Sequence, residues 1–299
     1  MDGIITSVQR MSVHDGPGIR STIFMKGCNL RCRWCHNPET FSFAPELEWI
    51  KTKCIGCQAC LDVCQTGALS LINGNISFHK GGCTACFDCI PECYPEALHK
   101  IGRRVTPESL FGEIEQDFPF FEESGGGITI SGGEPMLQKL FVISILKLFR
   151  TGGIHTALDT NLSVPWKHYE QLLPYTSLVM ADLKAMDNEL HEKWTGGDNS
   201  TIIRNIRNLD ESGTPYFIRT PFIPGFNDSE KEFRSIAGLL STLKNMKRFD
   251  LLPYHPLGNW KYVNLGVENP LEGVTAPASR DIQRYASILE EYGINYQVN

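Results

Sequence analysis

The segment KGCNLRCRWCH, residues 26–36, contains three cysteines, Cys28, Cys32 and Cys35, directly after a run of strand-forming residues, STIFMKG. Three thiols cannot pair off as disulfides. They are also one ligand short of the four that a structural zinc site takes. The segment therefore presents an incomplete set of soft metal ligands, with one position of a four-ligand site unfilled.

All eleven cysteines of this 299-residue chain lie between Cys28 and Cys93. Their odd number and their spacing of two or three residues argue against disulfides. After the first three they form two sets of four with the same spacing, C-x2-C-x2-C-x3-C, which are CIGCQACLDVC (54–64) and CTACFDCIPEC (83–93). This spacing is that of bacterial ferredoxins, in which the fourth cysteine of a run binds the other 4Fe–4S cluster.

The ferredoxin spacing predicts two auxiliary clusters with exchanged fourth ligands. One would be held by Cys54, Cys57, Cys60 and Cys93, and the other by Cys64, Cys83, Cys86 and Cys89. A pair of zinc sites is the alternative, but zinc motifs usually separate their cysteine pairs by a longer loop. Between the two runs, TGALSLINGNISFHKGG predicts a short hairpin that turns at Asn73-Gly74.

These patterns divide the chain into three parts. Residues 1–49 hold the first strand and the three-cysteine loop, residues 50–101 form an inserted two-cluster module, and residues 102–299 complete the main body. In the main body β-rich runs alternate with amphipathic helical stretches at a repeat of ~30 residues, which indicates βα units and a parallel sheet. Six strands are predicted, at 21–27, 127–131, 155–160, 177–184, 216–223 and 249–255.

Six parallel strands fit either a doubly wound sheet or a curved, incomplete barrel, and the strand ends favour the barrel. Each predicted strand ends in polar or special residues, and chemistry in parallel α/β folds gathers at the carboxyl ends of strands. Three of these residues, Glu134, Asp159 and Asp182, are carboxylates. Because an unpaired buried carboxylate is costly, they need cationic or donor partners at the mouth of the barrel.

The composition argues against some classes of partner. The net charge of −6 and the pI of about 5.8, with no long run of one sign, give no case for nucleic acid or an anionic membrane. We see no signal peptide, and no stretch approaches ~20 uninterrupted apolar residues. We therefore expect a cytoplasmic protein, and, since no exposed apolar helix face is evident from the pattern, we expect a monomer.

The motif Cys28-x3-Cys32-x2-Cys35 resembles the signature of radical S-adenosylmethionine (SAM) enzymes. Longer stretches, spread over nearly the whole chain, resemble glycyl-radical-enzyme activases of the pyruvate formate-lyase activase type. These stretches are SVHDGPGIRSTIFMKGCNLRCRWCHNPE, GGGITISGGEP, LDTN, DLK, RTPFIPGFND and LLPYHPLGNWKY. The resemblance implies a partial (β/α)6 TIM-like barrel, and the two-cluster insert is similar to that of the longer activases.

The resemblance also implies a reaction. The first three cysteines would hold a third 4Fe–4S cluster, whose open iron SAM chelates through its amine and carboxylate. Reduction of this cluster would cleave SAM to methionine and a 5′-deoxyadenosyl radical. The auxiliary clusters would carry electrons inward from a reduced flavodoxin or ferredoxin, and the alternative is that they are structural or shape the partner surface. That radical abstracts hydrogen from one backbone glycine of a partner glycyl radical enzyme, while the protein supplies orientation. Exposed clusters imply an anaerobic or facultative setting.

Residue roles follow from the resemblance position by position. Trp34 and His36 would flank the adenine, and packing within the loop is the alternative for both. Gly132, Gly133 and Glu134 would meet the methionine amine, with the glycines letting the backbone approach the ligand.

The next two strand ends supply the implied contacts to the rest of the cofactor. Lys184 and Arg219, with Leu183 beside them, would pair with the carboxylate and ribose region. Asp159 and Asp182 resemble a pair that helps bind a monovalent cation, and a purely structural pairing of Asp182 with Lys184 is the alternative.

Two further positions complete the implied site. His255 would approach the ribose or adenine. The turn HDGPGIR, residues 14–20, would lie near the target peptide, and Asp15 within it would help seat the partner's glycine-containing loop.

Two other functions stay open on the sequence. A radical SAM enzyme could act directly on a small molecule. A ferredoxin-type electron carrier would explain eight cysteines, but would leave the first three and the polar strand ends without a purpose. The partner enzyme is not named by the sequence, and the candidates include formate-lyase-like enzymes, diol or glycerol dehydratases, choline lyases and arylacetate decarboxylases.

Overall fold

The computed structural model describes residues 2–299. Its strands are β1 (Gly3–Ser12), β2 (Arg20–Met25), β3 (Glu46–Trp49), β4 (Leu69–Ile72), β5 (Asn75–Phe78), β6 (Leu98–Ile101), β7 (Arg103–Val105), β8 (Gly127–Gly132), β9 (His155–Thr160), β10 (Leu178–Asp182), β11 (Tyr216–Phe222), β12 (Met246–Pro253) and β13 (Tyr296–Val298). Its α-helices are α1 (Ala59–Val63), α2 (Pro107–Ile114), α3 (Phe118–Ser124), α4 (Lys139–Thr151), α5 (Trp166–Tyr169), α6 (Asn188–Thr195), α7 (Ser200–Glu211), α8 (Glu230–Leu240), α9 (Asn259–Asn264) and α10 (Ser279–Glu291).

Nine strands form one open sheet in the order β13-β12-β11-β10-β9-β8-β2-β1-β7. The seven from β13 to β2 run parallel, and β1 and β7 add antiparallel strands at one edge. The parallel strands follow their chain order without reversal. That order is typical of barrel winding, because a doubly wound sheet reverses at a switch point.

All six predicted strands of the parallel sheet are present, within a few residues of the predicted bounds. Three other strands of the sheet, β1, β7 and β13, were not predicted. β7 and β13 are three residues long, which is too short for a period-two pattern to show. Side chains in the second half of β1 are mostly exposed, so apolar alternation is weak there.

Alternation along the strands sends side chains to opposite faces of the sheet. On the outer face, Ile23, Ile130 and Ile218 are fully buried in the main hydrophobic core, together with residues of the helices. On the inner face, polar side chains such as Asp159 and Arg219 line a cavity of about 720 Å³. Residues at or just after the carboxyl ends of all seven parallel strands line this one cavity, which requires the sheet to be curved.

Residues 46–101 form a small unit with its own hydrophobic core. β3 pairs with β6, which brings the two ends of the unit together. The predicted hairpin is confirmed, since β4 and β5 pair around Asn73 and Gly74, whose φ angles are 50° and 77°. Two left-handed residues are what a tight hairpin turn requires. The core includes Trp49, Leu69 and Phe78 and has cysteines packed around it.

Buried charges and main-chain contacts attach this unit to the main body. Lys26 Nζ, fully buried after β2, lies 2.8 Å from Glu46 Oε2, and Lys80 Nζ lies 2.5 Å from Glu46 Oε1. Just after α9, the Gly266 carbonyl accepts a hydrogen bond from Lys80 N at 3.4 Å. The unit is therefore tied to the segment that leads into the three-cysteine loop.

The surface at α9 exposes apolar side chains, although the predicted monomer rested on the absence of an exposed apolar helix face. Leu257, Trp260 and Val263 are 74%, 56% and 55% exposed and follow one another at three-residue spacing before and along α9. The sequence pattern had shown no exposed apolar helix face, because this helix has only six residues and no full amphipathic period. The argument for a monomer therefore loses its basis.

Helices long and apolar enough to cross a membrane are lacking within residues 2–299.

Candidate active site

The three-cysteine loop follows β2 and is held at several points by the main chain. Arg31 N donates to the Thr195 carbonyl at 2.6 Å, and Arg33 N donates to the Trp194 carbonyl at 3.0 Å, both at the end of α6. The Tyr262 hydroxyl of α9 donates to the Cys35 carbonyl at 2.8 Å. These bonds join a loop near the start of the chain to two helices far along it.

Cys28, Cys32 and Cys35 all line the large cavity, at its cysteine-loop end. Burial raises the pKa of Cys28 to about 11, and it raises the pKa of Cys32 and Cys35 as well. The charge of a Cys32 thiolate would further raise the pKa of the other two thiols. Three mutually close thiols fit the face of an iron–sulfur cluster, and ligation to iron would displace their protons.

Sets of three or more His, Cys, Asp or Glu side chains placed to hold one metal ion do not occur among residues 2–299. A closed zinc site would need four ligands around a single ion. A cluster instead takes each thiolate on a separate iron, so its ligands stand farther apart.

Gly132 and Gly133 lie where β8 ends, against the start of the cysteine loop. A Cβ on Gly132 would lie 2.3 Å from Met25 N, and one on Gly133 would lie 2.1 Å from the Gly27 carbonyl oxygen. The Gly133 and Glu134 amides donate to the carbonyls of Met25 and Gly27, both at 2.9 Å. Both glycines line the cavity. Their lack of side chains is thus required by the approach of two chain segments, beyond any approach to a ligand.

Glu134 lies behind the cavity wall. The residue is only 1% exposed. Its carboxylate accepts hydrogen bonds from Met136 N at 3.0 Å, Asn161 N at 2.9 Å and the Thr160 hydroxyl at 2.8 Å. Burial raises the pKa of the carboxyl to about 7. In this arrangement Glu134 ties the end of β8 to the end of β9, and its carboxylate is already engaged by the protein.

Four alternating charges cross the carboxyl ends of β9, β10 and β11. Arg219 Nη2 contacts Asp159 Oδ1 and lies 3.4 Å from Asp182 Oδ1. Lys184 Nζ lies 2.7 Å from Asp182 Oδ2, and the Ser131 hydroxyl donates to Asp159 Oδ2 at 2.7 Å. The predicted need of both aspartates for cationic partners is confirmed. Two cations balance two anions, so the network is close to neutral.

The network itself does not require a monovalent cation at the two aspartates, and that cation stays a prediction. Each carboxylate already has a cationic partner, and the charges of Lys184 and Arg219 hold the pKa of Asp182 below its usual range. The structural pairing of Asp182 with Lys184 is the alternative that the geometry favours.

One donor of the network is free for the carboxylate of an amino-acid cofactor. Arg219 Nε is buried and has no hydrogen-bond partner within residues 2–299. Lys184 and Arg219 both line the cavity, whose volume of about 720 Å³ lies within the usual range of ~300–1,000 Å³ for ligand pockets. Leu183 is fully buried and only its main chain faces the strand end, where its amide donates to the Arg219 carbonyl at 2.9 Å.

Aromatic side chains form another part of the wall. Trp34 stacks on Phe226 with ring centroids 4.6 Å apart, is 9% exposed and still lines the cavity. The rings of His36 and His255 lie 4.4 Å apart, and His36 Nε2 lies 3.0 Å from the His255 carbonyl oxygen. Trp34 therefore packs against a residue outside the cysteine loop and also lines the cavity.

Asp15 reaches the cavity from the turn that precedes β2. Its Oδ2 accepts hydrogen bonds from the Ser12 hydroxyl at 2.6 Å and the Thr22 hydroxyl at 2.7 Å, and its carbonyl accepts from the Thr129 hydroxyl at 2.6 Å. The turn itself contains Gly16 and Gly18 with φ angles of 124° and 69°. The carboxylate is thus held in one orientation.

The remaining eight cysteines form two neighbouring groups, and the charge of Cys60 in one also acts on the pKa of Cys89 in the other. Thiolate charges at Cys54, Cys57 and Cys93 all act on the pKa of Cys60, which is raised to about 11 mainly by burial. A second cavity, of about 240 Å³, is lined by Cys64, Cys83, Cys86 and Cys89. Cys93 therefore lies near Cys60, and Cys64 shares a cavity with the second run, while the exchange of ligands between clusters stays a prediction.

Several residues of the site were missed in the sequence. Asn161, Arg248 and Asp250 line the cavity, and Lys26 is buried just ahead of the cysteine loop. The strand predicted from residue 249 begins at Met246, so Arg248 was left outside it. The alternation of Arg248, Asp250 and Leu252 along one face was the signal that a longer strand would have made visible.

Comparisons with known proteins agree on one family. A family model described as the radical SAM superfamily matches residues 22–236. The chain is 38% identical over 297 residues to the (2S)-3-sulfopropanediol dehydratase activating enzyme of Klebsiella oxytoca, covering 97% of this chain and 93% of that protein. It is 40% identical over 283 residues to the isethionate sulfite-lyase activating enzyme of Nitratidesulfovibrio vulgaris, covering 92% of each.

A solved structure supports the same relationship. A domain of pyruvate-formate lyase-activating enzyme from Bacteroides vulgatus superimposes with a TM-score of 0.50 at 32% sequence identity, covering 58% of this chain and 99% of that one.

Proposed function

The chain belongs to the radical SAM superfamily, among the activating enzymes of glycyl radical enzymes, and from this we propose that it generates a glycyl radical on one backbone glycine of a partner enzyme. The observation that carries the proposal is the shared cavity, in which Cys28, Cys32 and Cys35 stand at one end and the Asp159–Arg219–Asp182–Lys184 network forms the wall. When bound, the cluster and SAM supply the electron transfer and the hydrogen-abstracting radical.

The residues of the chain bind and orient. We assign Cys28, Cys32 and Cys35 to the cluster. Lys184 and the unpaired Nε of Arg219 would bind the SAM carboxylate by charge-assisted hydrogen bonds.

The rest of the wall would shape the SAM site. The main chain at Gly132 and Gly133 would face the amine, while Glu134 holds that turn from behind. Trp34, His36 and His255 would bound the adenosine.

We further propose that the main body, residues 1–49 and 102–299, is a partial barrel, and that residues 50–101 are a ferredoxin-like insert with two auxiliary clusters. The core around Leu69, Phe78 and Leu98, which Leu47 and Trp49 complete from just before the insert, and the two groups of four cysteines support this division. With the first cluster this makes three, and a reduced flavodoxin or ferredoxin in the cytoplasm would be the electron donor.

Detection of a glycyl radical tests the proposed function. Anaerobic, iron-loaded and reduced protein is incubated with SAM and with each of several candidate glycyl radical enzymes, including a (2S)-3-sulfopropanediol dehydratase and an isethionate sulfite-lyase, the kinds of enzyme named for the relatives. Electron paramagnetic resonance should show the doublet of a glycyl radical with one of them. 5′-Deoxyadenosine without a doublet for any protein partner, but with conversion of a small molecule, would instead support direct action on that molecule.

Loss of the auxiliary clusters is expected to block turnover with the physiological reductant. Cys57 and Cys86 are the exposed members of their groups, so a C57A/C86A variant removes one ligand from each cluster with little change in packing. 5′-Deoxyadenosine formation should fall at least about tenfold with reduced flavodoxin, because the relay to the first cluster is broken. With a small, strong chemical reductant it should stay within about twofold of the wild type. Unchanged turnover with flavodoxin would exclude an obligatory relay.

Substitution of Asp15 is expected to impair activation of the partner. The carboxylate is held by Ser12 and Thr22 and faces the cavity, so it can accept a main-chain N–H of the incoming glycine loop. Asp15→Ala should reduce the rate of glycyl radical formation about 10- to 100-fold, the range for a hydrogen bond to a charged group. SAM cleavage without partner should be retained. Activation at the wild-type rate under saturating SAM would refute this role.

A further inference from the structure

Arg248 forms a preorganised binding group in a part of the cavity to which the cluster, the SAM contacts and Asp15 do not extend. Its Nε and Nη2 donate to Asp250 Oδ1 and Oδ2 at 2.6 and 3.1 Å. Its guanidinium lies over the Phe217 ring, 4.3 Å from the centroid. All three residues line the cavity. One edge and one face of the guanidinium are thus fixed by the protein.

The arrangement leaves donors free. Asp250 is 3% exposed, whereas the Arg248 side chain is 33% exposed. Of the five N–H groups on an arginine, the two that bond Asp250 are satisfied, and those of Nη1 have no protein acceptor within residues 2–299. Asp250 pairs in register with Arg219 in the β11–β12 ladder, yet its carboxylate bonds only Arg248 among the described side chains. The pair is therefore separate from the network that faces the cysteine loop.

Arg248 and Asp15 stand towards opposite edges of the open sheet. Arg248 lies on β12, next to the edge strand β13, whereas the turn bearing Asp15 joins β1 to β2 near the other edge. Both reach the same cavity. A segment entering between the edges would meet a carboxylate acceptor on one side and a guanidinium donor on the other. The main chain of an extended segment offers the matching N–H and C=O groups.

We propose that Arg248, held by Asp250 and Phe217, binds main-chain carbonyl oxygens of the partner's glycine-bearing segment and is a positioning residue for hydrogen abstraction. The inference rests on the proposed function. The target glycine has no side chain, so contacts to its main chain and neighbours must set the position of its Cα. Reactions of this kind lose rate steeply when the reacting atoms are displaced by about 1 Å.

The test separates partner binding from SAM chemistry. Arg248→Met, Arg248→Lys and Asp250→Asn are each prepared with clusters loaded. For R248M the KM for the partner that gives a glycyl doublet with the wild type should rise about 10- to 100-fold. SAM affinity, followed by the spectral change of the cluster, and partner-free 5′-deoxyadenosine formation should stay within about twofold. R248K should recover part of the loss, because it keeps the charge but not the fork geometry.

Two controls sharpen the result. Arg284→Met removes an exposed arginine paired with Glu230 on the helical surface and should leave the KM unchanged. Thermal unfolding of each variant shows whether the fold is intact. Short peptides centred on the radical glycine, with any acidic flanking residues replaced by amides, distinguish main-chain from side-chain recognition. The R248M effect should persist with these peptides.

Each contrary outcome points to a different error. Equal loss of partner-free SAM cleavage would assign Arg248 to the cofactor. An unchanged KM in R248M would show that Arg248 does not bind the partner's segment. Loss of the effect with amide-substituted peptides would make the contact a side-chain carboxylate. If the wild type produces no doublet with any partner, the proposed function itself fails, and this inference fails with it.

Discussion

Substitution of Cys32 by alanine is expected to abolish SAM cleavage while leaving the auxiliary module loaded. Cys32 contributes one of the three thiols at the cysteine-loop end of the cavity, and two ligands do not hold a cluster with an open iron in place. Anaerobically reconstituted C32A should contain roughly eight irons per chain where the wild type contains roughly twelve. 5′-Deoxyadenosine should fall to the background without enzyme. Iron determination and product analysis measure the two effects on one sample.

The matched control is a cysteine-to-alanine substitution in the ferredoxin-like insert. Cys86→Ala should lower the iron content by a similar amount, yet keep the spectral change that SAM causes at the first cluster. The prediction is contradicted if C32A still responds spectrally to SAM, or if C86A loses that response. Wild-type protein that carries only eight irons would overturn the assignment of the first three cysteines.

Replacement of Arg219 by methionine should be the most damaging change outside the cysteines. It leaves Asp159 without its cation and Asp182 with Lys184 alone, although both carboxylates are largely buried. Removal of one partner from such a buried pair costs about 3 kcal/mol of unfolding free energy. Because the unpaired Nε is also lost, SAM affinity should fall about 10- to 100-fold. Denaturant unfolding and titration with SAM measure the two losses.

A double variant separates stability from cofactor binding. Asp159→Asn added to R219M removes the negative charge left unpaired, so most of the lost stability should return while SAM affinity stays low. Arg234→Met on α8, which removes a solvent-exposed arginine paired with Glu230 and Glu291, is the control and should change neither quantity appreciably. Recovery of SAM binding in the double variant would show that Arg219 only neutralises Asp159.

The parallel strands were predictable because their signal is local. A buried strand such as Gly127–Gly132 carries its period-two or continuous apolar pattern within a few residues, and the Asn73-Gly74 turn carries its left-handed preference in two. The edge strand Tyr296–Val298 could not be predicted in the same way. It is a strand because β12 offers it main-chain partners, and that depends on the folded sheet.

The functional roles of individual site residues were less accessible. Glu134 was expected at the ligand, but it is turned behind the wall, where main-chain amides of Met136 and Asn161 satisfy it. The Arg248–Asp250 pair was not expected at all, because β12 begins at Met246, whereas the apolar pattern predicted a strand only from residue 249. Burial and pairing of a charge depend on neighbours that are distant in the chain, and periodicity carries no information about them.

The amino-acid sequence alone determined the family, the six main strands and the hairpin of the insert, because motif spacing and side-chain periodicity act over short stretches of chain. The tertiary structure decided how Asp159, Asp182, Lys184 and Arg219 share their charges, and why Gly132 and Gly133 must lack side chains. The physical reason is that charge neutralisation and close backbone approach are properties of neighbouring strands, which come together only when the sheet curves around the cavity.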